Sequence, residues 1–371
     1  MEKLKQKTLA LFFTNGVSLK IWDKVGNLNR EIKPYNELSR YFNKIYFFTY
    51  GDKKDLEYQK NLSENIIIRP NKWKTPSLLY SFLLPFFYKK ELRECNILKT
   101  NQMSGSWSAM LVKLIYGKKL VVRCGYEWLS FTEKQKKALW KRIIIYLVEK
   151  IVYSIADKII ITSNRDKNFI VQKLSINSEK IQVIPNYIDT NLFKSMEVKK
   201  EKSRVIFIGR LGNQKNLFNL ISAVNNLNVN LVLVGSGPLI LKLESFAKEK
   251  GIKVDFKGNI SNQELPKELN KSEIFILPSL YEGCPKTLLE AMSCGIPCIG
   301  TNVDGIKEII KHKENGYLCE TNSSSIKKAI LEILGDKKLQ QQISQGARQT
   351  IVNNFSLENI IFKEKSIYEV L

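Results

Sequence analysis

The sequence predicts an α/β chain of two domains, each built on a parallel sheet. Three observations carry this. Short apolar runs alternate with longer stretches of helical period, the pattern of strand–helix–strand crossovers. A charged run, Lys194 to Arg204, breaks the alternation near the middle. At 371 residues the chain has room for two domains of ordinary size.

The first strand is expected at Leu9 to Phe13. The opening MEKLKQKTLALFFTNG holds only five consecutive apolar residues before Thr14. That is too few for a signal-peptide core, and a strand fits better. Strands follow at Ile45 to Thr49, Ile66 to Ile68, Asn96 to Leu98, Leu120 to Val122, Ile159 to Thr162 and Val183 to Ile184. Ser77 to Tyr88 (SLLYSFLLPFFY) is apolar and aromatic, with Lys72 and Lys74 before it and Lys89 and Lys90 after it. It is shorter than the roughly 20 residues a spanning helix needs. It reads equally as a buried helix or as one facing a membrane. Lys134 to Arg142 (KQKKALWKR) is a second basic segment, ahead of an apolar helix.

The charged run Lys194 to Arg204 reads as a solvated loop, as a linker between the domains with a cleft beside it, or as both. Strands resume at Val205 to Ile208, Leu231 to Val234, Val254 to Phe256, Ile274 to Leu277 and Pro297 to Ile299. The last helix is expected from Ser356 onward.

The most informative segment is PSLYEGCPKTLLEAMSCGIPCIG, residues 278–300. A strand ends at Pro278, a loop carries Glu282 and Gly283, and Pro285 opens a helix, where its missing N–H is not needed. The N–H groups of such a start, with the positive end of the helix dipole, attract anions. Glu282 in the loop and Glu290 in the early helix bracket this point. Both can face a ligand at the carboxyl end of the strand, the usual binding edge of an open parallel sheet.

Composition removes several classes. The chain is 44% hydrophobic and 26% charged, as globular proteins are. Its only histidine, His312, lies in a polar stretch that reads as an exposed loop, so His-based triads and His-rich zinc sites are excluded unless it serves alone. The six cysteines form no CxxC pair, so neither a zinc ribbon nor a disulfide framework is indicated. The net charge is +23, unevenly spread: residues 1–190 hold 34 Lys and Arg against 17 Asp and Glu. A basic first half suits an anionic partner.

Several segments together resemble family 4 of the retaining glycosyltransferases, which have the GT-B fold. The acid spacing inside YEGCPKTLLEAMSCG carries the resemblance. VIFIGRLGNQKN, LVLVGSGP, VDFKGNI and VIPNYIDTNLF agree with it in the family's order. The resemblance implies two Rossmann-like domains with parallel sheets facing an interdomain cleft. Residues 1–185 would bind the acceptor and 186–355 the nucleotide sugar, with the helix at 356–371 packing back on the first domain. It also implies site roles. Arg210 and Lys215 would clamp the donor diphosphate, where positive charge stabilises a leaving group that becomes more anionic. Glu290 would accept from the ribose diol. Glu282 and the backbone of Gly283, Cys284, Pro285, Lys286 and Thr287 would bind the transferred sugar. Gly16, Gly209 and Gly235 would let backbone approach the donor. Arg30 and Glu31 read as cleft residues or as a helix-surface pair.

Where many relatives carry a histidine near the reacting sugar, the chain reads VVRCGYEW. Arg123, Tyr126 or Glu127 is left for the acceptor side. No DxD occurs. That absence argues against the other common transferase fold, in which such acids hold a metal; no metal and no cofactor are expected. The implied activity is transfer of a hexose or N-acetylhexosamine from a nucleotide sugar to a glycan or lipid-linked acceptor, in polysaccharide or cell-envelope synthesis. The expected setting is the cytoplasmic face of an anionic membrane, bound peripherally. Nucleic acid is not expected, since no helix-turn-helix or RNA-recognition signature is present. A nucleotide-sugar epimerase of the same fold and a non-catalytic subunit are the alternatives.

Overall fold

A computed structural model describes residues 2–125, 127–134 and 138–371. They form two compact units: Met1–Pro185 with Ile361–Leu371, and Asn186–Ile360.

The first unit alternates helices and strands in chain order. These are α1 (Glu2–Lys5), β1 (Thr8–Phe12), α2 (Leu19–Lys24), α3 (Leu28–Ser39), β2 (Lys44–Phe48) and β3 (Ile66–Arg69). Next come α4 (Ser77–Phe87), α5 (Lys89–Glu94), β4 (Ile97–Thr100), α6 (Ser106–Tyr116) and β5 (Lys119–Cys124). Then follow α7 (Trp128–Lys134), α8 (Leu139–Ile155), β6 (Lys158–Ile161), α9 (Asn164–Leu174) and β7 (Ile181–Val183). All seven strands pair in parallel, in the order β3-β2-β1-β4-β5-β6-β7. Helices cover both faces, which is why β1 is buried at every position. Alternate residues such as Ala10, Phe12, Leu98 and Val122 pack on one side with Tyr80 and Leu84 of α4, Val112 of α6 and Val152 of α8. On the other side Phe13 stacks on Trp22 of α2, and Phe47 meets Tyr35 of α3 edge to face.

The second unit holds β8 (Arg204–Ile208), α10 (Leu217–Ala223), β9 (Asn230–Val234), α11 (Ile240–Glu249), β10 (Val254–Gly258) and α12 (Leu265–Asn270). It continues with β11 (Ile274–Leu277), α13 (Lys286–Ser293), β12 (Cys298–Thr301), β13 (Tyr317–Cys319), α14 (Ser323–Gly335) and α15 (Lys337–Asn354). The parallel order is β10-β9-β8-β11-β12-β13. Thus the chain holds two parallel-sheet Rossmann-like domains of the α/β class.

A final helix, α16 (Leu357–Glu369), carries the chain back into the first unit. A buried ion pair ties it there: Lys99 of β4 bonds Glu364, and Tyr368 donates to the same carboxylate. Burial alone would raise the Glu364 pKa, but the Lys99 charge and the hydrogen bonds from Lys99 and Tyr368 hold it below the usual value.

Three expectations need correction. The run Lys194–Arg204 is not the boundary between the units. Met196 N donates to Asn270 Oδ1 at 3.0 Å and Glu201 N to Lys271 O at 2.8 Å, so the run lies along the second unit. Its last residue, Arg204, is itself buried in β8 and bonded to Glu268. Strand β13 is absent from the sequence expectation: it has only three residues and follows a turn at residues 313–315, so it lacks a readable alternation. The strand expected at Val183 to Ile184 runs instead over Ile181–Val183.

Candidate functional site

Neighbouring parallel strands bring their carboxyl ends to one edge of the sheet. In the second unit that edge collects the segments after β9, β8 and β11, and the first two approach backbone to backbone. Gly235 has φ +131°, and a Cβ built there would lie 2.0 Å from Gly209 O, so a side chain at this point is excluded. Leu211 N donates to Ser236 O at 2.9 Å, and Gly209 N to Val234 O at 2.9 Å.

The segments after β8 and β11 are closed onto each other. Asn216, with left-handed backbone, donates from Nδ2 to Pro278 O at 3.1 Å and Thr321 O at 2.7 Å. Leu280 N donates to Gln214 O at 2.8 Å, and Gln214 Nε2 donates to Tyr281 O at 2.7 Å. This closure sets Lys215 against Glu282. Their side chains form an ion pair, and Glu282 is only 6% exposed. Ser279 Oγ donates to the paired oxygen Oε1 at 2.6 Å, and Gln214 Nε2 approaches Oε2 at 3.3 Å. Ser279 is held in turn by Thr301 Oγ1, which donates to its carbonyl. Lys215 and Glu282, expected to serve different parts of a ligand, are therefore bonded to each other. Arg210 stands exposed at the same edge, and its guanidinium has no hydrogen-bond or ion-pair partner among the described residues.

Behind Glu282 the chain runs through Gly283, Cys284 and Pro285 into α13. Asn186 Nδ2 donates to Cys284 O at 2.9 Å, and Gly305 comes so close that its Cβ would stand 2.1 Å from Gly283 O. No side chain caps α13, so its first N–H groups, from Lys286 and Thr287 onward, are not bound by a capping side chain. Glu290 lies in the second turn of α13 and is 2% exposed. Its charge, together with burial as the larger effect, pushes the neighbouring Cys294 thiol up to about 12, so that thiol is inert.

The remaining expected residues belong to the first unit. Gly16, φ +74°, turns the loop after β1. Arg123 on β5 is half-buried and its N–H donates to Thr100 Oγ1 at 3.0 Å. Its charge reaches the buried Lys99–Glu364–Tyr368 cluster. Tyr126 lies outside the described residues. Glu127 is 1% exposed and its Oε2 accepts from Ser130 N, which makes it a helix cap for α7. Glu149 of α8 accepts from Trp128 N at 3.1 Å and Leu129 N at 3.3 Å and completes the cap. Burial first, then the neighbouring Glu127, pushes Glu149 far above the usual carboxylate range. Arg30 and Glu31 pair with each other at 3.3 Å. His312 is exposed and its Nδ1 accepts from Leu318 N. Sequence reasoning misses Gln214, Ser279, Thr301 and Asn186. All are neutral polar residues, Thr301 at the end of β12 and the others in the connections, whose roles come from chain closure, and no spacing announces them. Among the described residues, no group of three or more His, Cys, Asp or Glu side chains is placed to hold a metal ion.

Two family profiles together match most of the chain: "Glycosyl transferases group 1" over residues 189–350 and "Glycosyltransferase Family 4" over residues 36–192. A galactosyltransferase of Escherichia coli is 30% identical over 264 residues, covering 66% of this chain and 67% of that protein. Its name gives UDP-Gal as donor and a GlcNAc-diphosphoundecaprenol as acceptor. The chain belongs to glycosyltransferase family 4. The N-acetyl-alpha-D-glucosaminyl L-malate synthase of Bacillus anthracis is also 30% identical; the aligned part covers 52% of this transferase and 54% of that enzyme. Among solved structures, Anabaena HepE with bound UDP superposes with a TM-score of 0.80 at 18% identity, covering 98% of this transferase and 100% of that chain. Sucrose-phosphate synthase of Thermosynechococcus elongatus gives 0.77 at 19% identity, with 98% of each chain covered. These likenesses give the fold, GT-B. No helix among the described residues is long and apolar enough to cross a membrane.

Proposed function

We propose that this transferase moves a hexose or N-acetylhexosamine from a nucleotide sugar to a glycan or lipid-linked acceptor, with retention at the anomeric carbon, in polysaccharide or cell-envelope synthesis. The observation that carries the proposal is the Lys215–Glu282 pair, set among Ser279 and Gln214 beside the exposed Arg210. Arg210 and Lys215 supply positive charge to a diphosphate that becomes more anionic as the glycosidic bond breaks, so they favour the transition state over the ground state. No metal is needed for that task. Glu282, held on several sides, accepts from sugar hydroxyls while its charge is balanced by Lys215. The N-terminus of α13, with Gly283, Cys284 and Pro285 leading into it, offers N–H groups to the same ligand. Glu290 accepts from the ribose diol. Gly209 and Gly235 leave backbone open where a side chain would intrude, and Gly16, at φ +74°, lets the loop after β1 turn toward the donor in the first unit. Retention follows from the family resemblance. The leaving phosphate oxygen assists removal of the acceptor proton, a scheme that needs no strong protein base. On the acceptor side we assign Arg123 and Tyr126, and give Glu127 to helix capping.

The Escherichia coli relative and a Campylobacter jejuni relative (28% identical over 230 residues) are both named for acceptors carried on undecaprenol, which supports a lipid-linked acceptor here. Such an acceptor lies at a bilayer, so the transferase is read as a cytoplasmic protein attached peripherally to the inner face of the plasma membrane.

The test is a panel of nucleotide sugars, with and without a membrane fraction carrying acceptor. Acceptor-dependent release of nucleotide, with an α product from an α donor, supports the proposal. Conversion of the donor sugar without acceptor would mean an epimerase, and no turnover at all a non-catalytic subunit. An inverted product would remove retention alone. Glu290→Ala weakens donor binding by roughly 1.5–3 kcal/mol, as loss of a hydrogen bond to a charged group does. Calorimetric titration with the active donor reads it, and an unchanged affinity would take Glu290 out of the site.

A further inference from the structure

We infer that the outer faces of α4, α6 and α8 form one lipid-docking surface, on which the first unit lies flat against an anionic leaflet. This deepens the reading of the chain as an enzyme with a lipid-linked acceptor, and rests on it.

The three helices are neighbours on one side of the seven-stranded sheet. Trp107 Nε1 of α6 donates to Ser81 Oγ of α4 at 2.9 Å, Tyr116 OH of α6 donates to Pro85 O of α4 at 2.8 Å, and α6 packs on α8. Each helix is apolar on both faces. The inner residues, such as Leu84, Val112 and Val152, are buried in the core. On the outer face of α8, Trp140, Ile143, Ile144, Leu147 and Ile151 are each at least half exposed. Their offsets of three, four, seven and eleven residues draw a single stripe along the helix. On α4, Leu78, Phe82 and Phe86 form a second stripe, and Leu114 and Ile115 fill α6 between them. Apolar side chains scattered singly over a surface need no explanation. A contiguous face across three helices does.

The charges around it select the occupant. Neither α4 nor α6 contains an acid, and the only acid of α8, Glu149, is fully buried. Lys141 and Lys150 stand exposed beside the α8 stripe, and Lys72, Lys74, Lys89 and Lys90 flank α4. Lys72 lies 4.8 Å from the Trp73 ring centre and Lys141 5.1 Å from that of Trp140. An indole beside an ammonium is suited to the level of lipid headgroups. An apolar face with lysines along its rim, on helices that expose no carboxylate of their own, is complementary to anionic lipid. It is a poor fit to a second copy, because a twofold contact would set lysines against lysines. The 17 residues of α8 span about 25 Å, so the helix lies in the interface rather than crossing it.

The experiment is co-sedimentation with vesicles of phosphatidylethanolamine and phosphatidylglycerol. It compares the wild type, Ile143→Glu/Leu147→Glu on α8, Phe82→Glu on α4, and Leu241→Glu as an exposed apolar control in the second unit. Vesicle binding of the α8 and α4 variants falls by about tenfold or more, a loss of about 1.4 kcal/mol, while the control binds as the wild type does. Circular dichroism and nucleotide release with a water-soluble acceptor stay unchanged in all four, which excludes unfolding. Unaltered binding in the face variants overturns the proposal. So does a wild type that ignores vesicles, or one that sediments as a dimer which these substitutions dissociate. Face-dependent binding without turnover of any donor would leave the surface standing and remove the enzymatic reading; turnover without vesicle binding would do the reverse.

Discussion

Glu282 answers three side chains at once: Lys215 and Ser279 on one oxygen, Gln214 on the other. Glu282→Gln keeps the shape and removes the charge that balances Lys215. A hydrogen bond to a charged group is worth roughly 1.5–3 kcal/mol, so kcat/KM falls about 10- to 150-fold. Ser279→Ala removes one of three donors to that carboxylate and leaves Lys215 and Gln214 in place, so the loss lies at the low end of the same range, about tenfold. Steady-state kinetics on both variants would refute this ranking if Ser279→Ala proved the more damaging. Gly235→Ala acts on the fold instead. Its positive φ alone costs about 1–3 kcal/mol in a residue with a side chain, and the overlap with Gly209 O adds to it. Calorimetry should show the second unit destabilised by about 2 kcal/mol or more; an unshifted transition would contradict the close approach. Lys215, Glu282 and Gly235 are singled out in the sequence by the family resemblance of the segments that carry them. That Lys215 and Glu282 bond each other is not legible. The contact joins residues 67 apart through a closure made largely of backbone hydrogen bonds, and those leave no mark on composition.

Among the elements, α7 and α8 are joined by an acid pair that no motif announces. Glu127 and Glu149 cap α7 from inside the first unit, and both carboxyls have raised pKa values, chiefly from burial. The sign follows from linkage. A carboxyl whose folded pKa lies above its unfolded value of 4.5 contributes stability fully present below that value. The contribution is lost progressively as pH rises toward the raised folded value, because the folded state must hold a proton that the unfolded state has released. Glu149→Gln mimics the protonated form permanently. Between about pH 5.5 and about pH 8.5 the wild-type first unit loses stability, and the variant loses less. All five tryptophans, at positions 22, 73, 107, 128 and 140, lie in this unit, so their fluorescence during urea unfolding reports it alone. Equal pH slopes in the two proteins would dismiss the raised Glu149 pKa as the source of the effect. Strands and the larger helices are legible here from period, and α16 starts at Leu357, one residue past the expected Ser356. The cap is not legible, since a Glu at the start of one helix and another within the next resemble ordinary surface acids until the helices pack.

Across the whole molecule, charge and apolar surface follow the same division. Of a net +23, residues 1–190 hold a balance of +17, and the unpartnered apolar face belongs to the same half. The sequence displays the charge openly and flags Ser77–Tyr88 as buried or membrane-facing. The structure buries one side of it, with Tyr80 and Leu84 inside, and leaves the other side, with Phe82 and Phe86, exposed. The α8 stripe is harder to read, because a helix apolar all round resembles a core helix until its neighbours are known. The two forces respond differently to salt. Each Lys or Arg near an anionic leaflet contributes about 1 kcal/mol, and the contribution decays within a Debye length of about 10 Å at 0.1 M salt and about 3 Å at 1 M. Apolar burial is not screened. Raising salt from about 0.05 M to about 0.5 M should therefore weaken vesicle binding of the wild type without abolishing it, leaving a residue carried by α4, α6 and α8. Ile143→Glu/Leu147→Glu should lack that residue, so its binding disappears at high salt. Co-sedimentation across the salt series decides: complete release of the wild type at high salt would make the attachment purely electrostatic and leave the apolar face without a role in it.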